Sequence, residues 1–186
     1  MNDDGSGPCD ACAAGKYSNG ARTGCDVCNA GQAVNDAGEG CDVCNAGGVA
    51  ASGSADGCAE CPAGTKTNDD ASACVACGAG YRSTGDRSSC VLCATGLYSQ
   101  GGADACEACP AAYVTSTRGK TACTPCVNGT ITAQGKQVCE KCVAGKRANP
   151  DRVACLSCPS GRVAAFGSDT CESCPPGTAA TSEKDD

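Results

Sequence analysis

A chain of 186 residues would suit one ordinary globular domain, but these side chains do not build one: Leu, Ile, Val and Phe total 17, there is no Trp and no His, and 22 residues are Cys. Large apolar residues at about 9% fall below the roughly 20% at which an uncrosslinked chain is already expected to be disordered, so covalent links must hold whatever structure forms. A formal charge of −7 with no basic patch excludes a binder that tracks nucleic-acid phosphates, no apolar stretch is long enough to span a membrane, and without His the commonest general base is missing.

The opening residues 1–8, MNDDGSGP with Cys9 next, are polar and carry no secretory signal. They read as a partial repeat or a leader, and the chain as a fragment, a mature product or part of something longer. From Cys9 the cysteines fall in eleven Cys-x-x-Cys pairs, whose first members stand at 9, 25, 41, 58, 74, 90, 106, 123, 139, 155 and 171. A spacing of 16 or 17 residues held this regularly marks a tandem array, here 9–174. Ten repeats are closed between 12 and 171, beginning with CAAGKYSNGARTGC (12–25) and ending with CPSGRVAAFGSDTC (158–171). Residues 175–186 read as the start of a truncated further repeat.

Within each repeat the third residue after the opening Cys is Gly, from Gly15 and Gly31 through Gly161 and Gly177, except for Ala112 in a repeat that is also one residue longer. Such a Gly supplies a positive φ just after the Cys. Short alternating segments follow, as in Tyr17-Ser18, Leu97-Tyr98-Ser99 and Thr130-Ile131-Thr132, then a turn rich in Gly, Asn, Asp and Ser and a return strand. No 3.6-residue apolar stripe appears anywhere. The expected fold is small and disulfide-rich: tandem 16–17-residue repeats of short β-hairpin-like units, each touching mainly its neighbours, in an elongated solenoid-like rod with no helix.

Two disulfide arrangements compete. The second Cys of each pair can bond the first Cys of the next, giving Cys12–Cys25, Cys28–Cys41, Cys44–Cys58, Cys61–Cys74, Cys77–Cys90, Cys93–Cys106, Cys109–Cys123, Cys126–Cys139, Cys142–Cys155 and Cys158–Cys171. A return strand favours this, because it brings the two ends of the loop within bonding distance. Alternatively each Cys-x-x-Cys closes on itself, in the tight ring typical of labile redox sites. The first arrangement leaves Cys9 and Cys174 for further repeats or for an intermolecular bond.

The unit C-P-x-G-x-Y-S-x-x-G-x-x-x-C-x-x-C, seen in its aromatic form at Tyr17-Ser18 and Tyr98-Ser99, resembles the GCC2/GCC3 or ephrin-receptor-like repeats. It also resembles the first submodule of tumour-necrosis-factor-receptor cysteine-rich domains, over residues 9–178. In such modules the loop-closing bond joins the two ends of the unit, as in the first arrangement. Where those families carry an aromatic residue, this chain mostly has a small or charged one: Ala33, Val49, Lys66, Arg82, Arg147. The resemblance extends to large secreted and surface proteins of algae and protists, and implies an extracellular or cell-surface setting.

Other chemistry has less to stand on. Paired Cys-x-x-Cys motifs can hold zinc, but eleven pairs leave one over. Asp69-Asp70 and Asn35-Asp36 read as turn residues rather than a spaced calcium set. Tyr17, Tyr81, Tyr98, Tyr113 and Phe166 are expected to cover the disulfides of their own repeats. Asn128-Gly129-Thr130 is the one N-glycosylation sequon. The expectation is a structural extracellular protein without catalysis or cofactor: a segment of a filament, stalk or coat, partnered by itself or by longer copies of the repeat, and carrying glycans. The alternative is a receptor or adhesion ectodomain, or a protist surface antigen, that binds a protein or glycan.

Overall fold

The computed structural model describes residues 10–133 and 135–180. Among them there is no helix, and twenty strands of two to four residues form ten two-stranded sheets. Lys16–Ser18 pairs antiparallel with Cys25–Val27, Gln32–Val34 with Cys41–Val43, and Thr65–Thr67 with Cys74–Ala76. The same hairpin recurs as Thr130–Ala133 with Val138–Lys141 and as Lys146–Ala148 with Cys155–Ser157. In each of these the register sets the closing Cys opposite the sixth residue after the opening Cys: Ser18 faces Cys25, Thr67 faces Cys74, Thr132 faces Cys139.

Two turns generate each hairpin. In the first, the N–H of the fourth residue after the Cys donates to the carbonyl of the first: Lys16 to Ala13 at 3.0 Å, Gln32 to Asn29 at 3.1 Å, Lys146 to Val143 at 3.1 Å. The third residue has φ of +80° at Gly15 and +82° at Gly145, as the third place of a type II turn requires. Ala112 holds the same place at φ +65°. In several repeats the second turn is set by a side chain. Asn19 Oδ1 accepts the N–H of Thr23 at 2.9 Å, Asn35 Oδ1 that of Glu39 at 3.1 Å, and Asn149 Oδ1 those of Val153 and Ala154 at 2.9 and 3.1 Å. The tenth residue after the opening Cys is then left-handed in seven repeats, at Arg22, Gly38, Ala71, Arg87, Gly119, Lys136 and Arg152, and the ninth in the other three, at Gly53, Gly102 and Gly167.

The chain divides into two compact bodies, Met1–Val91 with Gly101–Ala105, and Leu92–Gln100 with Cys106–Asp186. Each is held by the same main-chain bonds between repeats. In the first, the N–H of Ala50 donates to Ala71 O at 2.9 Å, that of Thr67 to Arg87 O at 3.1 Å, and that of Ser83 to Ala103 O at 3.0 Å. In the second, the N–H of Thr115 donates to Lys136 O at 3.1 Å and that of Thr132 to Arg152 O at 2.8 Å. Each bond ties the end of one outgoing strand to the turn of the next repeat, so a hairpin too short to be stable alone is completed by its neighbour.

Contact also reaches past the adjacent repeat. A Cβ placed on Gly31 would lie 2.9 Å from Asp70 O, two repeats further on, inside the first body. In the same body Gly47 lies against Asp86 O and Gly64 against Gly102 O; in the second body Gly96 lies against Gly135 O and Gly129 against Gly167 O, all too close for any side chain. At these positions the recurring Gly therefore meets two demands, a left-handed φ and a flat backbone surface on which the next-but-one turn rests.

Candidate functional site

Because the hairpin register sets each closing Cys beside the outgoing strand, the opening Cys one turn earlier is within reach. The structure joins Cys12–Cys25, Cys28–Cys41, Cys44–Cys58, Cys61–Cys74 and Cys77–Cys90 in the first body. In the second it joins Cys93–Cys106, Cys109–Cys123, Cys126–Cys139, Cys142–Cys155 and Cys158–Cys171. Their Cα separations span only 5.5 Å, at Cys61–Cys74, to 5.8 Å, at Cys109–Cys123, inside the range an unstrained bridge needs. Every bridge closes 13 residue steps except two that close 14. Cys174 has a free thiol and is half-exposed, and Cys9 lies outside the described residues.

These bridges are the interior. The largest fully buried side chains are seven opening cysteines: Cys28, Cys61, Cys77, Cys93, Cys109, Cys126 and Cys142. Around them are buried small residues, Ala50, Ser83, Ser99, Thr115, Ala148 and Ala164, all six places after an opening Cys. Their size lets repeats approach, and their polar atoms finish the neighbour's turn. The N–H of Gly64 donates to Ser83 Oγ at 3.1 Å in the first body, and that of Gly96 to Thr115 Oγ1 at 2.7 Å in the second. Three of the five aromatic residues do not cover the bridges as the sequence suggested: Tyr81 and Tyr113 are exposed, and Phe166 is 64% exposed with the Lys141 ammonium 5.6 Å above its ring, while Tyr17 and Tyr98 are half-buried.

The next repeat supplies a donor to the carbonyl of six of the seven fully buried cysteines, Cys28, Cys77, Cys93, Cys109, Cys126 and Cys142. Gly53 N–H reaches Cys28 O at 2.9 Å, Gly102 N–H reaches Cys77 O at 2.7 Å, and Gly167 N–H reaches Cys142 O at 2.8 Å. At Cys109 and Cys126, in the second body, a cation does this work instead: Lys136 Nζ donates to Cys109 O and Arg152 Nη1 to Cys126 O. Sequence reasoning missed this role. The signal was a basic residue recurring ten places after the opening Cys, at Arg22, Arg87, Lys136 and Arg152. Among the described residues no buried side-chain nitrogen or oxygen lacks a partner.

The sequon is built into this framework. Asn128 is exposed, and its Oδ1 accepts Arg152 Nη2 at 2.6 Å. Gly129 lies under Gly167 O, and Thr130 is buried with its hydroxyl donating to Val127 O at 2.6 Å. Elsewhere the titratable groups act locally. Thr84 and Ser88 hydroxyls, with the Ser88 amide, hold the Asp86 carboxyl below the usual carboxylate range, and the Ser72 hydroxyl and amide do so for Asp70. Tyr98 donates to Glu107 Oε2 at 2.7 Å, and that bond and charge raise its phenol above its ordinary value.

Among the described residues no group of three or more His, Cys, Asp or Glu is gathered as a metal would need, and no helix is long and apolar enough to cross a membrane. No protein-family model matches the chain, and no curated protein matches it. The arrangement offers a repeated covalent cross-link, fixed in position by main-chain bonds to the next repeat.

Proposed function

We propose that this chain is a structural segment of an extracellular filament, stalk or surface coat, built from repeats of the GCC2/GCC3 kind and stiffened by a disulfide every sixteen or seventeen residues. The observation that carries this reading is the interior: the fully buried large side chains are cysteines in bridges, where an ordinary domain has Leu, Ile and Phe. Ten disulfides require an oxidising compartment to form and persist, which supports the exterior of a cell or its surface. The bonds that complete each hairpin come from the next repeat, so length is gained by adding copies with no change in design. The reading assigns the chain no catalysis and no cofactor, and makes further copies of the repeat its first partner.

Immunogold labelling of intact, unpermeabilised producing cells tests it. Label on fibres, stalks or the outer coat supports the reading. Label confined to the cytosol overturns it.

A further inference from the structure

In all ten repeats the bridge joins the two ends of the loop, so the loop itself lies off the shortest covalent route along the chain. Tension entering at Cys12 crosses the sulfur–sulfur bond to Cys25 and runs along Asp26 and Val27 to Cys28. There it crosses to Cys41 and continues in the same way to Cys171. Only the two residues inside each Cys-x-x-Cys carry backbone tension. We propose that the array is a length store opened by thiols: oxidised, it has a short fixed reach, and each bridge that is reduced releases its loop as additional chain. This deepens the reading above, since it matters in a cell only if the chain carries tension there.

The magnitudes follow from chain geometry. Ten bridges with Cα separations near 5.7 Å and nine three-step linkers limit the oxidised span from Cys12 to Cys171 to about 150 Å, using roughly 3.5 Å per residue step. Fully reduced, the same 159 steps reach about 550 Å. One opened loop of 13 steps, less the bridge it replaces, adds about 40 Å. Bridges closed inside each Cys-x-x-Cys would release only about 5 Å apiece, so step size also reports connectivity.

The chemistry needs a reductant, here a small dithiol. Its thiolate attacks the closing Cys sulfur, because the opening Cys is buried in most repeats. A mixed disulfide forms, the opening Cys leaves as a thiolate and takes up a proton, and the second thiol of the reductant displaces the closing Cys. The dithiol ends as a cyclic disulfide and the protein gains two thiols. Three bridges have no buried cysteine: Cys12–Cys25, with Cys25 exposed, Cys44–Cys58, with Cys58 exposed, and Cys158–Cys171. These three open first.

The test is force-clamp spectroscopy on the full chain held by terminal peptide tags. Without reductant the extension should reach a plateau. Dithiothreitol should then lengthen it in up to ten steps of about 40 Å, about 400 Å in all. The double variant Cys93→Ser, Cys106→Ser should raise the oxidised plateau by one such step and remove one from the reduced series. That expectation holds even if the variant fails to fold, because it concerns contour and not packing. A plateau already near full contour, or steps of about 5 Å, overturns the proposal. With the free thiol of Cys174 blocked beforehand, timed alkylation and peptide mapping should find Cys12, Cys25, Cys44, Cys58, Cys158 and Cys171 modified before the cysteines of the other seven bridges; uniform or reversed modification among the bridges overturns the order. The steps are read on isolated protein, so their absence refutes the length store, whereas cytosolic label refutes the extracellular reading and leaves the steps intact.

Discussion

The two compact bodies use one backbone design and dress it with different charge. The first carries 13 Asp and Glu against five Lys and Arg; the second carries eight against nine. The difference is put to structural use at two buried carbonyls of the second body. In the first body the carbonyls of Cys28 and Cys77 are satisfied by the backbone N–H groups of Gly53 and Gly102. In the second, Gly119 and Gly167 do the same for Cys93 and Cys142, but Cys109 and Cys126 are satisfied by Lys136 and Arg152. Basic residues in the first body, by contrast, make surface pairs: Arg22 with Glu39 at 3.1 Å and Arg87 with Glu60 at 3.2 Å. A hydrogen bond to a buried carbonyl and an ion pair in solvent are unequal in worth. A repeat protein can therefore tolerate wide side-chain variation if one donor reaches each buried carbonyl.

The largest effect should erase the comparison altogether. With no apolar core in either body, reduction and alkylation of all bridges should abolish chemical-shift dispersion throughout the chain. Each bridge over about 15 residues contributes roughly 3 kcal/mol by restricting the unfolded chain, and nothing else of that size is present. A reduced, metal-free sample that kept dispersed spectra would refute the account of both bodies.

Next in size comes the backbone surface under the next-but-one turn. Gly31→Ala in the first body and Gly129→Ala in the second both place a Cβ on a left-handed residue and into a carbonyl oxygen. Each should cost about 2–5 kcal/mol, combining the strained φ with overpacking. Gly38→Ala and Gly145→Ala keep the positive φ but meet open space, and should cost about 1 kcal/mol. Thermal unfolding under non-reducing conditions separates the two pairs. Equal losses at Gly129 and Gly145 would mean that φ alone explains the Gly.

What was legible in the sequence follows from what repeats. Cysteine spacing carries the hairpin, because a loop of that length closed at both ends by a return strand has few alternatives. The Gly at Gly15 and Gly31 carried its positive φ for the same reason. The second demand on that Gly was hidden, because its partner lies two repeats away and no local pattern announces it. The small size of Ala50, Ser83 and Thr115, which lets neighbours meet, is not marked by any local pattern. Tyr81, Tyr113 and Phe166 were expected to cover the disulfides of their own repeats, but they are exposed, and backbone and small side chains do the covering. The cations at Lys136 and Arg152 were legible only as a recurrence ten places after the opening Cys, since the carbonyl each one reaches lies in the preceding repeat.

The cationic donors provide the direct contrast between bodies. Arg152→Ala removes the donor to Cys126 O and to Asn128 and should destabilise the chain by about 1–3 kcal/mol, as for a buried carbonyl left without its partner. Arg22→Ala, which loses only a surface pair with Glu39, should cost under about 0.5 kcal/mol. Raising salt should abolish the smaller effect and leave the larger. If the two variants melted together, the carbonyl donor would be no more than surface charge.

The smallest effects are set by protons, and they fall on different bodies at opposite ends of the pH scale. Asp70 and Asp86, both in the first body, are held below the usual carboxylate range, chiefly by the hydroxyls of Ser72 and Thr84 respectively. Folding then favours the charged form. The contribution is present above the unfolded pKa of about 4 and is lost as pH falls through the lower folded values. Tyr98, in the second body, is raised first by its hydrogen bond to Glu107 and then by that carboxylate's charge. Its contribution is complete below about pH 10 and disappears as pH rises through the higher folded value. Carbon-detected titration of the two Asp carboxyls and of the Tyr98 ring reads these shifts directly. Ser72→Ala and Thr84→Ala should return Asp70 and Asp86 toward ordinary values and leave Tyr98 unmoved, while Glu107→Gln should do the reverse. All three groups are on solvated turns or strands, so the same variants should barely move the melting temperature at neutral pH. A large loss there would mean that these side chains hold the repeats together, a role the bridges and backbone bonds already fill.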